Sequence, residues 1–167
     1  MSITIFEADP SDPIHARALV NLLDSYASGI NGGGQGLSAA VKQNLPAALA
    51  ARPTAHVMLA MDGGEPAGLV ISFEGFSTFQ CRPLLNIHDV VVTEKYRGQG
   101  LSKRLLAAVE EMAVRLGCCK LTLEVLEGNI IAQAAYHSLG FDGYQLDPAL
   151  GKALFWGKKA GVILAMR

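Results

Sequence analysis

The feature that most constrains this chain is a short turn, Tyr96-Arg97-Gly98-Gln99-Gly100-Leu101-Ser102, which follows the apolar run Leu84 to Val92 and opens a helical pattern near Ser102. A strand that ends in such a turn delivers backbone N–H groups to the start of a helix, where the first four have no partner within the helix. That end attracts anions: the helix dipole adds partial positive charge, and Gly98 and Gly100 leave the main chain open to close approach. Lys95, Arg97, Lys103 and Arg104 crowd cations around the turn in a chain whose net charge is -1. The combination predicts a seat for a pyrophosphate. A tight strand-to-helix connection needs the same glycines, so the surrounding charge carries the reading. No Gly-Lys-Ser or Gly-Lys-Thr ending makes this a P-loop. The third glycine of a dinucleotide fingerprint is also missing.

The run Arg97-Gly98-Gln99-Gly100-Leu101-Ser102 resembles the acyl-CoA pyrophosphate motif of the GNAT superfamily of N-acetyltransferases, which reads Gln/Arg-x-x-Gly-x-Gly/Ala. Ser102 departs from the last position but is small and can itself donate to a phosphate. A second segment, Asn129 to Phe141, reads Asn-x-x-Ala-x-x-x-Tyr-x-x-x-Gly-Phe and is similar to the other cofactor segment of that family. The resemblance covers nearly the whole chain. It implies an α/β (α+β) fold with a mixed, mostly antiparallel sheet flanked by helices, in which a parallel strand pair splays apart to admit acetyl-CoA. It further implies that Arg97, Gly98, Gln99, Gly100, Leu101, Ser102 and Lys103 hold the pyrophosphate. Splaying would leave backbone groups of Val90, Val91 and Val92 free to pair with the pantetheine amides as a substitute strand. A homodimer is common in the family.

Composition sets the remaining bounds. With 167 residues, 50% of them hydrophobic and 17% charged, the chain suits one domain over residues 1–167 with a substantial core. A net charge this near zero gives no global pull toward nucleic acid or an anionic membrane, so neither partner is expected. Cys81, Cys118 and Cys119 lack metal-ligand spacing, and adjacent Cys118 and Cys119 would make a strained bridge. Reduced thiols, no metal, and a soluble cytoplasmic protein are the expectation, in keeping with the absence of a basic-then-apolar leader pattern or a membrane-length apolar run.

Along the chain, Ile3 to Ala8 reads as a strand, and Ser11 or Asp12 caps a helix that begins at Pro13 and runs to about Tyr26, burying Leu19, Leu22, Leu23 and Tyr26. Gly29 to Gly36 is a loop. In the resembling family such a loop walls the acceptor pocket, which makes it a candidate gate. Ser38 starts a second helix that Pro46 should kink or divide. His56 to Met61 and Pro66 to Phe73 form an antiparallel hairpin about Asp62-Gly63-Gly64. Phe73 to Pro83 is read as an irregular aromatic stretch, and Leu84 to Thr93 as the strand entering the anchor turn. Leu105, Ala108, Val109, Met112 and Leu116 line the following helix, which stops at Gly117. Leu121 to Leu126 is the next strand, parallel to Leu84 to Thr93, and Asn129 begins the last helix. Gly143 to Leu146 and Ala153 to Trp156 look like two closing strands. The tail Gly161 to Arg167 is apolar and reads equally as a strand, a partner contact or a packed terminus.

Asn129, Ala132 and Tyr136 fall at i, i+3 and i+7 and so share one helix face. Ala132 permits close approach, Asn129 can hydrogen-bond an amide, and Tyr136 extends a phenol. In the family the matching tyrosine is the general acid. Its reference pKa of about 10 lies above a thiol's of about 8.5, so it keeps its proton until a thiolate leaves. For the acceptor, Phe76-Ser77-Thr78-Phe79, Pro83-Leu84 and Asp89-Val90-Val91-Val92 look most like the diamine and polyamine acetyltransferase branch, from which His88 departs. Neighbours on a strand face opposite ways, so His88 and Asp89 cannot share a pocket unless a bulge intervenes. His88 is the candidate base, with a reference pKa near ~6.5, and His88 and Asp89 are the candidate acceptor contacts. Glu74 and Glu124 are further acidic residues for which surface solvation is the simpler reading. The function expected is transfer of an acetyl group from acetyl-CoA to a primary amine of a small molecule, such as a diamine, polyamine or amino acid. The alternatives are a non-catalytic acyl-CoA-binding module and a protein amine as acceptor.

Overall fold

The computed structural model describes residues 2–145 and 147–158. Its centre is a single five-stranded sheet in the order β1-β2-β3-β4-β5, made of Ile3–Glu7, Ala55–Asp62, Glu65–Ser77, Arg82–Val92 and Leu121–Leu123. The first four strands pair antiparallel, and β5 runs parallel to β4. Four helices flank it: α1 (Pro13–Ser28), α2 (Ala39–Ala50), α3 (Leu101–Arg115) and α4 (Ile130–His137).

The two-residue period of the strands divides the core in two. Met58, Ala60, Val70, Leu85 and Ile87 face α3 and meet its Leu101, Leu105, Leu106, Val109, Met112 and Ala113. Leu59, Leu69, Ile71 and Val91 face the other way and meet Ala18, Leu19 and Leu22 of α1 and Leu49 of α2. Burying each such leucine contributes about 1.5–3 kcal/mol. Gly68 sets how close α3 lies to the sheet: a Cβ there would stand 2.8 Å from Leu105 Cδ1 and 2.9 Å from the Val91 carbonyl oxygen. That close seat fixes where the start of α3 points.

Local signals place the helix starts. The Asp12 carboxylate accepts the N–H groups of Ile14 and His15 ahead of Pro13, and the Ser38 hydroxyl accepts that of Val41. Several sequence expectations are corrected. Pro46 does not divide α2, because Leu45 and Leu49 on either side of it pack into the α1 face of the core. The stretch from Phe73 to Pro83 is not irregular: Gly75, Phe76 and Ser77 pair with Leu84, Pro83 and Arg82, so β3 and β4 form one long hairpin. β5 spans only Leu121–Leu123 and not Leu121 to Leu126. The two closing strands are absent from the described residues. The Ala153 N–H donates to the Tyr144 carbonyl at 3.0 Å, and a 3-10 turn, Pro148–Leu150, lies between them. Leu146 and the tail Gly161 to Arg167 lie outside the described residues. Among the described residues no helix is long and apolar enough to cross a membrane.

Candidate active site

The anchor turn is built by β4 running into a 3-10 turn, Glu94–Tyr96, and then α3. Tyr96 is buried and its hydroxyl donates to the carboxylates of Asp62 at 3.1 Å and Glu65 at 3.2 Å, tying the turn to the β2–β3 hairpin. Gln99 Nε2 donates to the Lys95 carbonyl at 2.9 Å and closes the loop on itself. Gly98 and Gly100 have φ of +72° and +74°, a left-handed conformation that disfavours a side chain, and a Cβ at either would meet nothing within 4 Å. The approach to the main chain is therefore open.

The amides of Gly98, Gln99, Gly100, Leu101, Ser102 and Lys103 have no acceptor among the described residues, and the first helical bond runs from Arg104 N–H to the Gly100 carbonyl at 3.2 Å. No side chain caps the helix and no acidic residue sits in its first turn. Such a row of donors at the positive end of a fifteen-residue helix suits a polyanion. The cations expected around it divide their roles. Lys95 pairs with Glu65 at 2.5 Å, and Arg104 donates to the Ile3 carbonyl at 3.1 Å, so both serve the fold. Arg97 donates through Nε to the Val92 carbonyl at 3.1 Å, and Lys103 has no ion-pair partner among the described residues.

The parallel pair does splay. Leu85, Asn86 and Ile87 pair with Leu121, Thr122 and Leu123, and there the ladder ends. β4 continues to Val92, held only on its other edge, where Val90, Val91 and Val92 face Val70, Leu69 and Gly68 of β3. The expectation that all three valines offer free backbone groups needs two corrections: the alternation that sends the Thr93 N–H to the Ala67 carbonyl turns the Val91 N–H and carbonyl toward Leu69 of β3, and the Val92 carbonyl accepts from Arg97.

The same strand carries a bulge. Ile71 pairs with Asp89 but Ser72 pairs with Ile87, which leaves His88 as the extra residue. His88 Nδ1 and Asp89 Oδ2 stand 3.7 Å apart, the imidazole 60% exposed and the carboxylate 25%. The His88 ring meets the edge of Phe73 at 5.6 Å between centroids. Burial raises the Asp89 pKa above the usual carboxylate range, with the neighbouring imidazole pulling the other way. The acidic candidates separate: Glu74 is bonded to His56 Nε2 at 2.7 Å and takes no part in this pair, and Glu124 is exposed.

On α4, the Asn129 side-chain oxygen caps the helix by accepting the Ala132 N–H at 3.2 Å, so only its amide nitrogen remains to offer. Tyr136 is half-buried, its ring 6.0 Å from that of Phe141. Burial, with a smaller contribution from the Tyr26 phenol, raises its pKa above the ordinary phenol value. Sequence reasoning passed over Gln133, whose side chain donates to the Leu126 and Glu127 carbonyls at 3.0 and 2.7 Å and fixes the β5–α4 connection. It also read Tyr26 as core alone. A glutamine within one helical turn of a cap and a tyrosine just before a glycine run were the available signals.

Comparison with known proteins places this geometry. Residues 17–141 match the Acetyltransferase (GNAT) family. Thialysine N-epsilon-acetyltransferase of Bos taurus is 35% identical over 82 residues, 46% of this chain and 48% of that protein. L-ornithine N5-acetyltransferase NATA1 of Arabidopsis thaliana is 33% identical over 91 residues, 53% of this chain and 40% of its own. The matches thus span about half or less of these relatives' length. Among solved structures, AAC(6')-Iy in complex with the bisubstrate analog CoA-S-monomethyl-acetylneamine superposes with a TM-score of 0.74 over 96% of this chain and 100% of that one, at 17% identity. A bare helix start after a bulged strand, a splayed parallel pair and a family match over most of its length together establish that this chain belongs to the Acetyltransferase (GNAT) family.

Proposed function

We propose that this protein transfers an acetyl group from acetyl-CoA to a primary amine of a small molecule. The observation that carries the reading is the row of amides from Gly98 to Lys103 without acceptors among the described residues, which can hold a pyrophosphate beside the gap between β4 and β5. Bound acetyl-CoA would supply the activated acyl group. The chain's residues would do the rest: Arg97, Gln99, Ser102 and Lys103 would surround the phosphate seat, the free edge of β4 at Val90 and the Val92 N–H would pair with an extended amide chain, and Asn129 would offer an N–H.

Tyr136 would act as general acid, since its raised pKa keeps the phenol protonated at neutral pH. On the acceptor side, Asp89 is a partly buried carboxylate whose ion-pair partner among the described residues is the His88 imidazole, a setting that favours a cationic amine. An alkylamine has a reference pKa of about 10.4, so less than roughly one molecule in a thousand is the free base at neutral pH. His88, exposed on the bulge beside Asp89, would take that proton directly or through water. The names of the relatives point the same way, because thialysine and ornithine both carry side-chain amines. Titration calorimetry with acetyl-CoA, CoA and ATP, followed by thiol release across a panel of diamines, amino acids and polyamines, tests the proposal. Tight acetyl-CoA binding with no acceptor turned over would leave an acyl-CoA-binding module, and preference for ATP would reject the reading.

A further inference from the structure

Where β4 and β5 part, a side-chain hydrogen bond joins them: Asn86 Nδ2 donates to Thr122 Oγ1 at 3.0 Å, and both residues are half-buried. The two stand opposite each other one pair before the ladder ends at Ile87 and Leu123. Strand alternation places them on the face turned away from α3, because Leu85, Ile87, Leu121 and Leu123 all pack into the α3 cluster. The cross-strand partner of Asn86 agrees, for Phe73 belongs to the cluster formed with α1 and α2. Phe73 also meets the His88 ring. Asn86 therefore lies on the acceptor face, two residues before the bulge.

The ladder is held differently at its two ends. At its entry Arg82 Nη2 donates to the Gly117 carbonyl at 3.0 Å, the Cys119 N–H to that of Pro83 at 2.8 Å, and the Leu85 N–H to that of Lys120 at 3.1 Å. Near its exit, the Asn86–Thr122 bond is the one side-chain hydrogen bond between the two strands among the described residues. Past that point the strands carry different halves of the proposed chemistry. β4 runs on to His88 and Asp89, and β5 leads through residues 124–128 to α4 and Tyr136. That connection is braced: Gln133 Nε2 donates to the Leu126 and Glu127 carbonyls, and the Asn129 N–H to that of Leu126 at 2.9 Å. A shift of β5 against β4 would thus pass to Tyr136 through a braced unit. A directional hydrogen bond fixes such a position, where two apolar side chains would only bury area.

We infer that Asn86 and Thr122 are positioning residues, whose hydrogen bond clasps the point where β4 and β5 diverge and so sets the distance between the acceptor pair on β4 and Tyr136 on α4. The inference rests on the acetyltransferase reading. It deepens that reading by assigning the alignment of the two halves of the site to a pair that lies outside both the phosphate seat and the reacting groups.

The test separates stability from alignment. Thr122→Val removes the hydroxyl and keeps the shape, Asn86→Val combined with Thr122→Val makes the pair apolar, and Thr122→Ser keeps the bond. An unpaired partner destabilises, whereas replacing both partners can be nearly neutral, so the melting temperature should fall in Thr122→Val and recover in the double variant. The inference expects kcat to fall by about 10- to 100-fold in both, with the acetyl-CoA Kd unchanged, and Thr122→Ser to keep most of the rate. Amide exchange supplies a readout without substrate. The alternating ladder turns the Ile87 N–H to the Thr122 carbonyl, and its exchange should quicken about tenfold in the double variant while that of Leu85 stays slow. Recovery of kcat along with stability in the double variant would make the pair structural only and overturn the inference. Unaltered Ile87 exchange would overturn it too, and would leave the enzyme assignment standing. A wild type that acetylates no amine would overturn the enzyme assignment and the positioning role together.

Discussion

His88 and Asp89 are consecutive on β4, yet Nδ1 of one and Oδ2 of the other lie only 3.7 Å apart, on a strand whose pleat should send them to opposite faces. The bulge opposite Ile71 and Ser72 removes the conflict by inserting His88 as an unpaired residue. A half-buried carboxylate and an exposed imidazole are thereby made neighbours at the point where β4 loses β5.

Asp89→Asn should separate stability from function. Burial raises the folded pKa of Asp89 above its unfolded value of about 3.9. The folded state therefore binds this proton first as pH falls, and its contribution to stability is lost as pH rises through the folded pKa. Asp89→Asn should melt above the wild type at pH 7, with the gap closing below about pH 4, while the acceptor KM rises. Thermal scans at several pH values read the first effect and initial rates the second.

His88→Gln keeps a polar side chain on the bulge but cannot take a proton near neutrality. The rate constant kcat/KM should fall by about 10² or more, and its pH profile should change. An unchanged profile would assign proton removal to water alone.

Removing the Tyr136 hydroxyl in Tyr136→Phe keeps the ring against Phe141 and deletes the proton donor. Turnover should fall by about 10² to 10⁴ with acetyl-CoA affinity preserved. Because the phenol pKa is raised, the wild type should show no basic limb from this group below about pH 10. Full activity in Tyr136→Phe would remove it from the mechanism.

Gly100→Asp places a carboxylate among the amides of Leu101, Ser102 and Lys103, where it competes with a phosphate for the same donors. Acetyl-CoA affinity should drop at least about tenfold, an amount one charge-assisted contact can supply. Calorimetry on a protein of unchanged circular dichroism checks it.

Gly68→Ala tests the spacing that aims the start of α3. Its Cβ would meet Leu105 Cδ1 at 2.8 Å and the Val91 carbonyl at 2.9 Å, and overpacking of this kind costs about 1–3 kcal/mol. Chemical denaturation should show that loss.

The sequence by itself determined whatever depends on neighbours along the chain. The caps at Asp12, Ser38 and Asn129, the hairpin at Gly63-Gly64 and the left-handed glycines of the anchor turn all follow from local chemistry. The tertiary structure decided what depends on chain segments far apart. The cations around the turn looked alike in sequence, but Glu65 and the Ile3 carbonyl, distant along the chain, claim Lys95 and Arg104. Pro46 leaves its helix undivided, with Leu45 and Leu49 beside it in the core cluster that also holds Ala18, Leu19 and Leu22 of α1. Whether His88 and Asp89 meet turned on a register shift against β3, and strand register is a property of a pair, set by which residues of the partner must be buried and not by either strand alone.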